Sequence, residues 1–118
     1  MKRILVTGSG GIGGVNFIRA LKLFKDKFFI VGTDFNKYYL QFADLDQRVI
    51  SPKHSDPSFI PLLNELTKQH KIDFLHPQPS SESLVVSQNL DKISTKTLLP
   101  SPNIISKDKL ETQKILLA

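Results

Sequence analysis

The glycines of this 118-residue chain are concentrated in one short window. Five of the six lie between positions 8 and 14, in the segment GSGGIGG. Residues 3–7, directly before it, are mostly apolar and partly β-branched, which is typical of a buried parallel strand. Because glycine adopts backbone conformations that other residues avoid, the window predicts a tight loop between this strand and a following helix. The chain is thereby constrained to a fold that begins with strand, loop and helix.

The remainder alternates between strand and helix patterns. Apolar runs predict further strands at residues 28–33, 48–51, 72–76 and 95–99. Helical periods lie between them, and residues 36–46 fit neither period, which predicts a loop with one helical turn. With 118 residues, 40% of them hydrophobic and 23% charged, the chain suits one compact domain and not a disordered one. The order predicts an α/β fold whose parallel sheet has about five strands.

Each predicted helix has an apolar stripe and a start signal. The first stripe comprises Phe17, Ala20, Leu21 and Phe24, with Arg19, Lys22 and Lys25 facing water. The second comprises Phe59, Leu62, Leu63 and Leu66, after Asp56 as N-cap and Pro57 as first helical residue. The third is capped by Ser80 or Ser81 and carries Leu84, Val85 and Leu90. A last helix over residues 106–118 has no stop signal, so we expect the chain to continue into something longer.

The glycine window satisfies two phosphate-loop spacings. G-x-G-x-x-G runs through Gly8, Gly10 and Gly13, and G-x-x-G-x-x-G through Gly8, Gly11 and Gly14. At a helix N-terminus, such a backbone can approach an anion closely, so the predicted binding residues are Gly8, Ser9, Gly10, Gly11, Ile12 and Gly13. The alternative is a tight turn that only permits close packing. On the first interpretation, a β-branched residue at position 10 impairs ligand capture more than folding.

Two acids follow predicted strands. Asp34 comes 20 residues after Gly14, where a dinucleotide-binding fold places the acid that holds ribose hydroxyls. The alternative is a turn residue that bonds its own backbone. Glu82 lies just beyond the fourth strand, near the edge where such folds bind ligands. Its alternative role is a favourable charge at a helix N-terminus.

Several chemistries are excluded by what the sequence lacks. Cysteine is absent, and His54, His70 and His76 have no metal-ligand spacing, so we expect no metal site. No G-x-S-x-G elbow occurs. Neither Tyr38 nor Tyr39 has a lysine four positions later, so the tyrosine–lysine pair of a short-chain reductase or epimerase is missing.

The charge and the N-terminus indicate where the chain acts. The net charge of +5 is spread along the sequence without a basic run, which argues against nucleic-acid binding. Anionic small molecules suit it better. The apolar run at residues 4–6 is too short for a secretion signal or a membrane span, so we expect a cytoplasmic protein without a membrane partner.

Taken together, the motifs resemble the N-terminal, pre-ATP-grasp domain of ATP-grasp ligases, especially the carbamoyl-phosphate synthase large-subunit-like branch. The similar segments are ILVTGSGGIG at residues 4–13, VGTD at 31–34, DPSFI at 56–60, IDFLHP at 72–77, SE at 81–82 and LPSP at 99–102. DKLET at 108–112 resembles the Asp-Lys-x-x-Thr element at which the catalytic part of such ligases begins. The segment His76-Pro77-Gln78-Pro79 departs from the family's shorter turn.

The resemblance implies a Rossmann-like three-layer domain over residues 1–105, with residues 106–118 leading into an ATP-grasp domain. It implies a parent enzyme that uses ATP and Mg²⁺ to form an acyl-phosphate and transfers the acyl group to an amine or similar nucleophile. The glycine loop, Asp34 and Glu82 would face the carboxylate or amine substrate. The 118 residues alone would not be catalytic or hold a cofactor tightly.

Two partners and the remaining functional alternatives complete these expectations. The domain would contact the rest of its own chain, and the apolar residues 115–117 could pair two copies as a homodimer. The alternative function is an NAD(P)-binding Rossmann domain of an epimerase or reductase. A third alternative is an interaction module without enzymatic activity.

Overall fold

Strands and helices alternate in the computed structural model, which describes residues 2–24 and 27–97. The strands are β1 Lys2–Thr7, β2 Phe28–Asp34, β3 Gln47–Ile50, β4 Phe74–Pro77 and β5 Lys96–Thr97. The helices are α1 Ile12–Lys22, α2 Lys37–Leu40, α3 Phe59–His70 and α4 Ser80–Gln88, with a 3₁₀ turn at Leu90–Lys92. Lys25, the end of the predicted fifth strand and the predicted helix 106–118 lie outside the described residues.

The five strands form one parallel sheet in the order β3-β2-β1-β4-β5. The register pairs Thr7 with Thr33 on one side of β1 and with Pro77 on the other. The carboxyl ends of the three central strands therefore lie side by side. The predicted α/β fold with a parallel sheet of about five strands is confirmed.

Successive strand residues point to opposite faces, and both faces are covered. One face places Ile4, Val6 and Ile30 against α1 and the segment after α2. The other places Leu5, Val31 and Leu75 against α3 and α4. The result is the three-layer, Rossmann-like arrangement of helices on both sides of a sheet.

The buried face of α1 differs from the predicted stripe. Its buried residues are Gly14, Ile18 and Leu21, whereas Ala20 is exposed and Phe24 is 63% exposed. Only Leu21 of the predicted set is buried, and Phe17 is half-buried. The stripe was wrong because the glycine at position 14, with no side chain, marks the line of closest packing.

The stripe of α3 is confirmed, with Phe59, Leu63 and Leu66 buried. Its predicted start was wrong: α3 begins at Phe59, and the Asp56 carboxylate accepts from the backbone N–H of Ser58 at 2.8 Å in a preceding turn.

The third helix also differs from its prediction. Pro79 is the N-cap of α4, without a side-chain cap from Ser80 or Ser81. The residues that α4 buries are Glu82, Ser83, Val86 and Ser87, not Leu84, Val85 or Leu90. Burial of a glutamate in place of leucines marks this helix as part of a polar site.

The single turn predicted within residues 36–46 is α2. The Asn36 side chain caps it by accepting from the N–H groups of Tyr38 and Tyr39. Both tyrosines and Phe42 are more than half exposed, and the Tyr38 ring lies edge-on to the other two rings. Among the helices of the described residues, none is long and apolar enough to cross a bilayer.

The corrected face of α1 yields a matched pair of variants. Ile18 is 1% exposed, so Ile18→Ala should lower the free energy of unfolding by about 2–5 kcal/mol. Phe24→Ala, a larger truncation at an exposed position, should cost less than about 1 kcal/mol. Urea denaturation of both variants measures the difference, and an equal or larger loss for Phe24→Ala contradicts the assigned face.

Candidate functional site

The loop after β1 is closed by its own backbone. Gly8 has a left-handed φ of +61°, and a Cβ there would lie 2.2 Å from the Pro79 ring. The Gly11 N–H donates to the Gly8 carbonyl at 3.2 Å. At Gly14, a Cβ would lie 2.5 Å from the same carbonyl oxygen. The contacts at Gly8 and Gly14 require glycine for packing, which is the alternative interpretation of the glycine window.

The start of α1 nevertheless presents free donors. Gly11 is the N-cap without a side-chain cap bond, and the Val15 N–H makes the first helical bond, to the Gly11 carbonyl at 2.9 Å. The N–H groups of the first turn have no acceptor within the helix and carry the positive end of its dipole. A Cβ at Gly11 would meet only the Gly8 oxygen, at 3.6 Å. Position 11 is therefore the open point of the loop, where an anion can approach the helix.

Ser9 and Asp34 join the loop to β2. Ser9 is fully buried, and both its N–H and its hydroxyl donate to the Thr33 carbonyl, at 3.0 and 3.2 Å. The Asp34 carboxylate accepts from the Gly10 N–H at 3.1 Å and from the Asn36 N–H at 2.9 Å. Asp34 thus bonds the backbone of its own turn through Asn36 and also connects β2 to the glycine loop through Gly10. Each of its oxygens keeps a second lone pair for a ligand.

Glu82 lies on the other side of the loop, in the first turn of α4. It is 7% exposed, and its Oε2 is 3.7 Å from the place a Cβ would take on Gly8. Its Oε1 and the hydroxyls of Thr7 and Thr33 are buried and have no hydrogen-bond partner among residues 2–24 and 27–97. Burial raises the pKa of Glu82 to about 7, the nearby Thr7 hydroxyl opposes the rise, and the Asp34 carboxylate adds to it.

A crevice of about 450 Å³ opens above these groups at the carboxyl edge of the sheet. Its lining residues are Gly8, Gly11, Asp34, Phe35, Tyr39, Lys53, His54, Pro79, Ser81 and Glu82. The sequence did not mark Phe35, Lys53 or His54 as site residues. The signal that could have found them is their position after β2 and β3, at the same edge as Asp34. The Lys53 Nζ lies 5.7 Å above the Phe35 ring and brings a cation to the crevice.

The other predicted residues do not line this crevice. Gly10 and Ile12 line a second cavity of about 530 Å³ between α1 and α2, which Gly11 and Tyr39 also line. Gly13 is covered by the Gln78 amide, whose Nε2 is 2.6 Å from the place of a Cβ. The structure thus brings together Gly8, Gly11, Asp34 and Glu82.

The segment that departs from the family pattern supports the loop. The His76 Nε2 donates to the Gln78 Oε1 at 2.7 Å, which turns the Gln78 Nε2 toward the start of α1. The Phe17 ring stacks on His76 at 3.9 Å between centroids. Burial lowers the pKa of His76, so the imidazole is neutral at physiological pH. In the part of the chain that the structure describes, no group of three potential metal ligands occurs.

Three solved structures share this architecture. dTDP-glucose 4,6-dehydratase from Bacillus anthracis str. Ames, in complex with NAD, matches 84% of this chain with a TM-score of 0.61 and 17% identity. Glycinamide-RNase-transformylase T from Mycobacterium tuberculosis matches 89% with a TM-score of 0.60 and 15% identity. UDP-D-quinovosamine 4-dehydrogenase from Vibrio fischeri matches 89% with a TM-score of 0.57 and 18% identity.

At these identities the likeness establishes the Rossmann-like fold alone. The chain spans 37% and 30% of the first two structures and 83% of the third. No protein-family model and no curated protein matches the sequence.

The loop geometry reverses the expectation for position 10. A Cβ on Gly10 would lie 2.4 Å from the Tyr39 backbone, so Gly10→Val should separate the loop from α2 and cost about 1–3 kcal/mol. Gly11→Ala has open space and an ordinary φ of −76°, and the smaller entropy of its unfolded chain offsets the weaker N-cap that alanine makes, so its melting temperature should stay close to that of the wild type. Thermal melting of the two variants tests the assignment. Equal melting temperatures for Gly10→Val and Gly11→Ala would contradict it.

Burial of Glu82 predicts an unusual pH dependence of stability. The pKa of Glu82 is about 7 in the folded chain and 4.5 in the unfolded chain. The carboxyl group therefore destabilises the fold increasingly as pH rises from 4.5 to 7, and its full destabilising effect is reached above pH 7. The loss is on the order of 3 kcal/mol. Glu82→Gln should therefore gain melting temperature relative to the wild type between pH 4.5 and pH 8. The exposed Glu65→Gln is the control, and a constant difference for Glu82→Gln contradicts the prediction.

Proposed function

We propose that the chain is a nucleotide-binding Rossmann-like domain whose crevice binds the diphosphate of a nicotinamide dinucleotide. The observation that carries the proposal is the open N-terminus of α1 at Gly11, beside Asp34 at the tip of β2. In a sheet of order β3-β2-β1-β4-β5, this is the point at which doubly wound folds bind their ligands.

The diphosphate and the adenosine half of a dinucleotide have complementary groups in the crevice. The diphosphate would meet the N–H groups of the first turn of α1. The adenosine ribose would meet the free lone pairs of Asp34, and the Phe35 ring with Lys53 would border the adenine side. Two of the similar structures support this choice, since one contains NAD and the other is a dehydrogenase.

The substrate-side domain of an ATP-grasp ligase is the second candidate. It is favoured by the motifs at residues 56–60, 72–77 and 108–112 and by Glu82, a second buried acid beside the loop. Two carboxyl groups suit an amine or a neutral donor better than a diphosphate. On this candidate, ATP and Mg²⁺ would be held outside the 118 residues, and a carboxylate or amine would occupy the crevice.

Titration of the 118-residue chain with NADH, followed by its fluorescence and by calorimetry, separates the two candidates. The dinucleotide proposal expects saturation with a dissociation constant in the micromolar range. Gly11→Asp should weaken binding at least tenfold, because its carboxylate caps the same N–H groups, while the melting temperature is kept or raised.

The charge control is Gln69→Glu, an exposed position near the end of α3. It adds the same charge far from the loop and should bind NADH as the wild type does. Absence of saturation by millimolar NADH contradicts the dinucleotide proposal and leaves the ligase candidate.

A further inference from the structure

Three buried oxygen atoms near the carboxyl ends of β1 and β2 have no hydrogen-bond partner among the described residues. They are the Glu82 Oε1 and the hydroxyls of Thr7 and Thr33. Thr7 and Thr33 are paired in register and continue the sheet face that Leu5 and Val31 fill with apolar contacts. A buried polar atom without a partner costs about 1–3 kcal/mol. Of the three residues, Glu82 lines the crevice, so its carboxyl group is the one that a ligand can reach.

The charges around the crevice determine which ligand can enter. The acids are Asp34 and Glu82, and the bases that line it are Lys53 and His54. His76 on β4 is turned to Phe17 and Gln78 and has a lowered pKa, so it brings no charge. If both acids are ionised and His54 is neutral, the crevice is net negative and repels a phosphate. If Glu82 is neutral, Lys53 balances Asp34 and the dipole of α1 favours an anion.

We propose that Glu82 contacts the bound anion as a neutral carboxylic acid, so that anion binding at the glycine loop takes up one proton from solvent. This rests on the proposed binding of a phosphate-bearing ligand in the crevice. The proton forms an O–H bond on the Glu82 carboxyl, which then donates to the ligand oxygen. The unpartnered Oε1 becomes satisfied in the same step.

The surroundings of Glu82 make this protonation accessible at physiological pH. Burial already raises the pKa of the carboxyl to about 7 in the free protein, and a second negative charge nearby would raise it further. Glu82 therefore acts as a specificity-determining residue. It admits an anion when it carries a proton and rejects it when it does not.

The experiment is calorimetric titration with NAD⁺ between pH 5.5 and 8.5, because its diphosphate does not titrate in this range. The dissociation constant of the wild type should increase as pH rises above 7, and the increase should approach tenfold per pH unit. Measurements in buffers of different ionisation enthalpy should show uptake approaching one proton at pH 8. Glu82→Gln, which mimics the neutral acid, should bind with constant affinity and no proton uptake.

Two control variants identify the titrating group. His54 is the histidine that lines the same crevice, so His54→Asn must retain the pH dependence if Glu82 is the titrating group. Glu65→Gln removes an exposed acid on α3 and should behave as the wild type. Wild-type binding that does not change with pH overturns this inference alone. So does a pH dependence that His54→Asn loses and Glu82→Gln keeps. Absence of saturation at every pH in both the wild type and Glu82→Gln overturns the proposed function and the inference together.

Discussion

The loop after β1 and the first turn of α1 touch through their backbones, and this contact positions the helix on the sheet. Gly14 packs against the Gly8 carbonyl where even a methyl group would collide, and the Gly11 N–H closes the loop onto the same oxygen. This approach places the helix close enough to the sheet for Ile18 and Leu21 to reach the strand core. It also places the first turn of α1 at the carboxyl edge of the sheet, so one arrangement serves both packing and the proposed anion binding.

The crevice lies where the apolar core of one sheet face ends. On β1 and β2 the sequence changes from Leu5 and Val31 to Thr7 and Thr33 within one strand repeat. Glu82 from α4 faces this polar end and not the core beneath it. A carboxyl group at that depth has little water around it, and its protonation state follows the charge of its neighbours.

Much of the fold could be predicted from local patterns. The five strands follow from apolar runs and the stripe of α3 from the helical period, and the turn at α2 was predicted where residues 36–46 fit neither period. The stripe of α1 could not be predicted by counting apolar side chains, because Gly14, the first of its buried residues, has no side chain. The cap of α3 was misplaced by two residues, since Asp56 and Pro57 form a turn that resembles a helix start.

The candidate site was predicted only in part, because its members come from distant segments. The glycine window marked Gly8 and Gly11, and strand ends marked Asp34 and Glu82. Nothing local distinguishes Gly10, which faces α2, from Gly11, which faces the crevice. Lys53 and His54 belong to the site only because β3 pairs with β2, a contact that no single segment encodes.

The aromatic residues of α2 give the molecule an optical property. Tryptophan is absent, and the only tyrosines are Tyr38 and Tyr39, whose rings lie 5.6 Å apart. Tyr39 borders both cavities beside the glycine loop. Tyrosine emission therefore originates at Tyr39, which lines the crevice, and at its neighbour Tyr38, and a ligand that stacks on Tyr39 or absorbs at those wavelengths would quench it. The chain carries its own reporter of occupancy, with no dye or engineered fluorophore.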